Sequence, residues 1–160
     1  MMAAGKSTLG RIIAKKYNLE FIDTDSNIIK KNEMSVMEIF EKKGEDFFRA
    51  QEKKEVLKTL KKSNCIIAVG GGAFLDKTVR ESILESAISF WLDVDIELLN
   101  KRTKGNNKRP LLNKNTNYAK LKMLYSERKN IYKQADHKIE CDKLSKNKII
   151  EKITSIYEKY

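Results

Sequence analysis

The tetrapeptide Gly5-Lys6-Ser7-Thr8, running straight into a helix-patterned stretch from Leu9 to Tyr17, constrains this chain more than any other feature. It matches the end of the phosphate-binding loop G-x-x-x-x-G-K-[ST], which follows a buried strand and opens a helix. Ala3 and Ala4 occupy the small-residue stretch of such a loop. Backbone N–H groups there point inward, and the helix N-terminus adds partial positive charge, so together they cradle a phosphate. Lys6 would reach the β/γ-phosphates, and the Ser7 hydroxyl would ligate Mg²⁺. Two other readings stand beside this one. Four residues can simply begin a helix, and residues 1 to 19, with Lys6, Arg11, Lys15 and Lys16 and no acid before Glu20, superficially resemble a transit peptide. The helical spacing fits the phosphate loop better.

Charge narrows the function classes. The chain carries 33 Lys and Arg against 22 Asp and Glu, a net +11. The lysines are interleaved with acids along its whole length rather than gathered into an Arg-rich or aromatic stripe, so the charge reads as solvated helix surface and no nucleic-acid partner is expected. No stretch approaches the ~20 apolar residues of a membrane span. Cys65 and Cys141 lie in apolar runs and read as reduced, buried strand residues, which points to the cytoplasm. No Cys/His spacing suggests zinc, and the single His137 reads as structural.

Apolar runs alternate with helical patterns, predicting an α/β fold with a parallel sheet in one domain, residues 1–160. Leu19–Ile22 reads as a strand ending at Asp23-Thr24-Asp25. Ser35 and Glu38 form a capping box that opens a helix over Val36–Lys43, stopped at Gly44. A longer helix follows from about Asp46 to Lys62. Cys65–Val69 reads as a strand covered on both faces, ending at Gly70-Gly71-Gly72. A helix over Asp76–Glu85, a strand over Ala87–Leu92 and a helix through Arg102 come next. Residues 103–116, with the only proline, Pro110, read as a lid loop. A helix over Tyr118–Gln134, a strand over His137–Cys141 and a helix over Ser145–Lys159 close the chain. Ligands gather at the C-terminal ends of strands in such sheets, and the polar clusters fall there.

Six ordered motifs, Gly-Lys-Ser-Thr, Phe-Ile-Asp-Thr-Asp, Gly-Glu-Asp-Phe-Phe-Arg, Val-Gly-Gly-Gly, Arg-Pro-Leu-Leu and Glu-Arg-x-x-x-Tyr, together resemble shikimate kinase over almost the whole chain. The resemblance implies transfer of the γ-phosphoryl of ATP to the shikimate 3-hydroxyl with Mg²⁺, on the way to chorismate, by a cytoplasmic monomer. It implies a three-layer P-loop kinase fold with a parallel sheet of order 2-3-1-4-5 and substrate-binding helices over about 26–62. ATP would be held by Ala3, Ala4, Gly5, Lys6, Ser7 and Thr8, with Arg102 near adenine and Arg109 in the lid on the γ-phosphate. Ser7 and Asp23 would serve the metal. Shikimate would be held by Asp25, Arg49, Gly70, Gly71, Gly72 and Arg128, with Asp25, Lys6 and Arg109 catalytic.

Arginine suits a carboxylate because its planar fork makes two parallel hydrogen bonds. Glu52, three residues along the helix, could orient Arg49. Each of these residues also has a plainer reading. The aspartates could cap a helix, the arginines could sit on a charged surface, and Phe40 and Phe48 could be core rather than walls for the substrate. The adenine contacts after the last strand find no clear match in Cys141-Asp142-Lys143-Leu144.

The chain departs from the pattern at its start. The first loop glycine would fall one residue before Met1, Ala3 stands where the family carries glycine, and only strands 2 to 5 have candidates. A central strand of about five or six residues is therefore expected upstream. Without it the two flanking strands would leave backbone groups unpaired. A poorly active shikimate-binding protein, or another small-molecule P-loop kinase such as a gluconate or adenylate kinase, are the alternative readings.

Overall fold

The computed structural model describes residues 1–103 and 118–160. Arg109, Pro110 and the rest of the expected lid beyond Thr103 lie outside the described residues. The elements, in order, are α1 (Lys6–Tyr17), β1 (Glu20–Asp23), α2 (Thr24–Asn32), α3 (Val36–Lys43), α4 (Glu45–Thr59), β2 (Cys65–Ala68), a 3₁₀ turn (Ala73–Leu75), α5 (Lys77–Ser86), β3 (Phe90–Asp93), α6 (Ile96–Thr103), α7 (Tyr118–Tyr132), β4 (His137–Glu140) and α8 (Lys146–Tyr157).

The strands form two parallel pairs. In the first, Glu20 of β1 aligns with Cys65 of β2 and Asp23 with Ala68. In the second, Phe90 of β3 aligns with His137 of β4 and Asp93 with Glu140. These are the 2-3 and 4-5 halves of the expected order, and no strand among the described residues joins β2 to β3. The expectation that Cys65–Val69 is covered on both faces is corrected by the burial of its side chains. Only Ala68 of β2 is buried, and Cys65 is half-buried rather than buried. Cys141 is buried as expected.

One large apolar cluster runs across both pairs, from Leu9 and Ile13 of α1 through Val56, Val79 and Leu92 to Ile149 and Ile153 of α8, and it includes Met1 and Met2. The helix α1 approaches β1 through Gly10, where a Cβ would stand 2.7 Å from the Phe21 ring. A smaller cluster of Ile28, Ile39 and Phe48 holds α2, α3 and α4 together.

Local signals set most helix ends. The Ser35 hydroxyl accepts from the Glu38 N–H at 3.2 Å while the Glu38 carboxylate accepts from the Ser35 N–H at 2.8 Å, completing the capping box. Gly44, at φ 85°, ends α3 and begins α4. A departure occurs after β1, where the helix starts at once at Thr24. Asp23 is its N-cap, accepting from the Ser26 N–H at 3.1 Å, and Asp25 sits in its first turn. The capping reading of Asp23 is thus correct for one of its oxygens.

Candidate functional site

The phosphate-loop candidate has the shape its sequence requires. Gly5 lies at φ 94°, in the left-handed region that glycine adopts without strain, and Ala3 takes φ 55° in the same region. α1 begins at Lys6 with no side-chain cap, so its first amides face the loop. The Lys6 ammonium curls over this loop and donates to the Met1 carbonyl at 2.8 Å. The Ser7 hydroxyl donates to Asp23 Oδ2 at 2.5 Å, which joins the loop to the end of β1.

A cavity of about 420 Å³ opens on the loop, lined by residues 3–9, Arg102, Cys141, Leu144, Lys146 and Ile149. Arg102 donates to the Ala3 carbonyl at 3.3 Å, so its guanidinium stands at the rim. The Cys141 thiol, raised by burial to about 11, is a neutral wall. Cys141, Leu144, Lys146 and Ile149 line this cavity because α8 packs over the end of β4. A larger open groove, about 570 Å³, lies between β4 and α8 and contains none of the loop residues.

The second cluster gathers around Gly70-Gly71-Gly72. Thr24, fully buried, donates to the Ala68 carbonyl and accepts from the Gly70 N–H, both at 3.3 Å, fastening the start of α2 to the glycine turn. Asp25 and Glu52 converge on Gly70: a Cβ there would stand 2.6 Å from Asp25 Oδ1 and 2.1 Å from Glu52 Oε1. At Gly72 a Cβ would stand 2.0 Å from Arg49 Nη1. Gly71 is different. Its nearest neighbours, Met1, Met2 and the Tyr132 hydroxyl, are at ordinary contact distances of 3.6–3.7 Å. At two of the three glycines a Cβ would therefore displace side-chain ends of the protein itself, Glu52 and Asp25 at Gly70 and Arg49 at Gly72.

Arg49 is held from both sides along α4. Its Nη1 donates to Glu52 Oε2 at 2.7 Å, and its Nε and Nη2 donate to Glu45 Oε1 at 3.1 and 2.9 Å. The guanidinium lies over the rings of Phe40 and Phe48 at 5.8 and 5.5 Å. Glu52 is 2% exposed. Burial raises its carboxyl above the usual 4.5, and Asp25 adds to that, while Arg49 and Arg128 oppose it. Burial alone would lower Arg49, but Glu52 and Glu45 outweigh it and raise the guanidinium further.

Arg128 is buried on α7, and Tyr132, one turn further on, donates its O–H to the Gly71 carbonyl at 2.6 Å. Burial raises the Tyr132 phenol, against the Arg128 and Arg49 charges. Met1 links the two clusters, since its carbonyl accepts from Lys6 while its carbon atom lies against Gly71.

The described residues thus bring together Ala3–Thr8 and Arg102 around one cavity, with Asp23 joined to it through Ser7, and Asp25, Arg49, Gly70–Gly72 and Arg128 around the neighbouring glycine turn. Helical spacing makes Glu52 a partner of Arg49, but its approach to Gly70 and Asp25 carries no local sequence signal. Tyr132 appeared in a motif without a role. Among the described residues no group of three His, Cys, Asp or Glu could hold a metal by protein ligands alone. The oxygen donors Ser7 and Asp23 suit Mg²⁺ shared with phosphates, because that ion keeps several waters and takes few protein ligands. No helix among the described residues is long and apolar enough to cross a membrane.

Comparison with known proteins agrees with this geometry. The family model described as shikimate kinase matches residues 2–158. The chain is 36% identical over 152 residues to the shikimate kinase of a Sulfurihydrogenibium species, covering 95% of this chain and 90% of that one. It is 39% identical over 136 residues to that of Ruegeria pomeroyi, covering 85% and 70%. Its structure superposes on shikimate kinase from Acinetobacter baumannii in complex with shikimate with a TM-score of 0.94 at 31% identity, covering 99% of this chain and 89% of that one. The Aquifex aeolicus shikimate kinase gives 0.86 at 30%, covering 99% and 92%.

Proposed function

The chain belongs to the shikimate kinase family, and from that premise we propose how its own residues carry out phosphorylation of shikimate by ATP. The observation that carries the assignment is the adjacency of the two clusters: Ser7 bonds Asp23 on the phosphate side, and Asp25, two residues on, meets Glu52 at Gly70.

ATP lies with its phosphates on the amides of Ala3–Thr8 and its base toward Arg102, Cys141 and Leu144. Lys6 leaves the Met1 carbonyl for the β/γ-phosphates. Ser7 and Asp23 would hold Mg²⁺, which would supply neutralisation of phosphate charge there. Shikimate places its carboxylate between Arg49 and Arg128, whose forks match it, and its ring over Phe40 and Phe48 beside Gly70–Gly72. Asp25 accepts the proton of the 3-hydroxyl. That oxygen attacks the γ-phosphorus in line, the bond to the bridging oxygen of ADP breaks, and ADP leaves with the electron pair. Arg109 offsets the charge that develops on the transferred group. Most of the acceleration comes from alignment, because two anionic substrates must be held against their mutual repulsion. The same reading makes the protein a cytoplasmic monomer working on ATP and shikimate.

The test is shikimate-dependent ADP release with Mg·ATP, comparing the wild type with Asp25→Asn. A general base contributes on the order of 10²–10⁴ in rate, so a loss in that range is expected. An Asp25→Asn protein within a fewfold of wild type would remove Asp25 from the proton transfer.

A further inference from the structure

α7 is pinned at two points on one face. The Tyr125 hydroxyl donates to Asp93 Oδ1 at the end of β3, at 2.6 Å, and the Tyr132 hydroxyl donates to the Gly71 carbonyl, also at 2.6 Å. The two tyrosines are two turns apart and share a helix face, with Arg128 between them. Tyr132 is 5% exposed, and its ring meets Trp91 at 6.1 Å. Its oxygen faces Arg128 on the same helix and the Gly71 carbonyl on the glycine turn, 61 residues away in sequence. A trans peptide is planar, so holding the Gly71 carbonyl on the Tyr132 side turns the Gly72 N–H to the opposite side.

We propose that Tyr132 is a positioning residue for substrate recognition: its phenol braces Arg128 and orients the Gly71–Gly72 peptide, so that the arginine and the turn meet the shikimate carboxylate and ring in register. This rests on the reading of Arg128 given above. Tyr132→Phe keeps the ring and its packing on Trp91 and removes only the oxygen, leaving a buried carbonyl and guanidinium short of a partner.

The experiment measures binding of shikimate, its methyl ester and ATP by calorimetry for wild type, Tyr132→Phe and Arg128→Gln. Tyr132→Phe is expected to weaken shikimate about tenfold, leave ATP within about twofold, and narrow the preference for the acid over the uncharged ester. Unchanged shikimate affinity and preference in Tyr132→Phe, beside a lost preference in Arg128→Gln, overturns the proposal. Equal weakening of acid and ester also overturns it, since that is general damage. A preference intact in Arg128→Gln sinks the reading of Arg128 and this proposal with it.

If Tyr132→Phe does not fold, 3-fluorotyrosine at position 132 keeps shape and oxygen but ionises at lower pH. Arg128 and Arg49 favour that ionisation, and burial and Glu52 oppose it. An ionised phenol cannot donate to Gly71, so the alkaline loss of shikimate affinity is expected at lower pH than in wild type. A limb that does not move overturns the proposal.

Discussion

The guanidinium of Arg49 occupies the space where a side chain on Gly72 would begin, with a would-be Cβ 2.0 Å from Nη1 and 2.7 Å from Cζ. Arginine ends are flexible, but this one is tied to Glu52 and to Glu45. Gly72→Ala therefore displaces Arg49 rather than simply crowding it. The KM for shikimate is expected to rise by at least about tenfold, a loss on the scale of one charge-assisted hydrogen bond. The KM for ATP stays near wild type. Steady-state kinetics with each substrate varied in turn checks the split.

Glu52 is the partner on which that arrangement depends. Removing one member of a buried ion pair costs about 3–5 kcal/mol, but Arg49 is 31% exposed and water screens the pair. Glu52→Ala is expected to lose about 2 kcal/mol, or about 4–8 °C in Tm at this chain length. The pH dependence has a definite sign. The folded protein holds the Glu52 proton more tightly than the unfolded chain, so this group's contribution to stability falls as pH rises from 4.5 through its raised value. Thermal unfolding of wild type and Glu52→Gln across that range should show the decline only in wild type.

Asp76 behaves oppositely. It caps α5 by accepting from the Val79 N–H at 2.9 Å, and both its oxygens lie 3.1 Å from the Lys53 ammonium. The cap bond first, and then Lys53, hold its carboxyl below 3.8. Asp76→Ala is expected to cost about 1 kcal/mol at neutral pH, most of it the cap, since both members of the ion pair are about two-fifths exposed. The contribution from ionisation is present above 3.8 and is lost as pH falls through the lowered value. Denaturant titrations at pH 7 and near pH 3 should show the penalty shrink.

Ala3 pays a conformational cost at φ 55°. A left-handed L-residue is disfavoured by about 1–2 kcal/mol, partly offset by the greater freedom that glycine gives the unfolded chain. Ala3→Gly is expected to raise stability by about 0.5–1 kcal/mol and shift Tm up by a few degrees. An unchanged or lower Tm would mean that the loop holds Ala3 without strain.

The chain's local chemistry was legible before its fold. Gly5-Lys6-Ser7-Thr8, the Ser35–Glu38 capping box, the stop at Gly44 and the run of strand and helix patterns each depend on neighbours a few residues away. A linear reading finds such features, because backbone conformation and caps are decided over one turn. The ordered motifs were likewise enough to identify the family.

What the sequence could not decide is how distant elements divide space. Whether the faces of Cys65–Ala68 are covered depends on the elements that pack on them, and of these four residues only Ala68 is buried. The capping reading of Asp23 holds for one oxygen, which accepts from the Ser26 N–H, while the other accepts from the Ser7 hydroxyl, a partner that no local pattern specifies. The contact of Glu52 with Gly70 joins α4 to the turn after β2, and the bond from Tyr132 to Gly71 joins α7 to the same turn. Side-chain direction across a packed interface is set by the layers on both sides, so only the tertiary structure brings two carboxylates, two arginines and three glycines to one place.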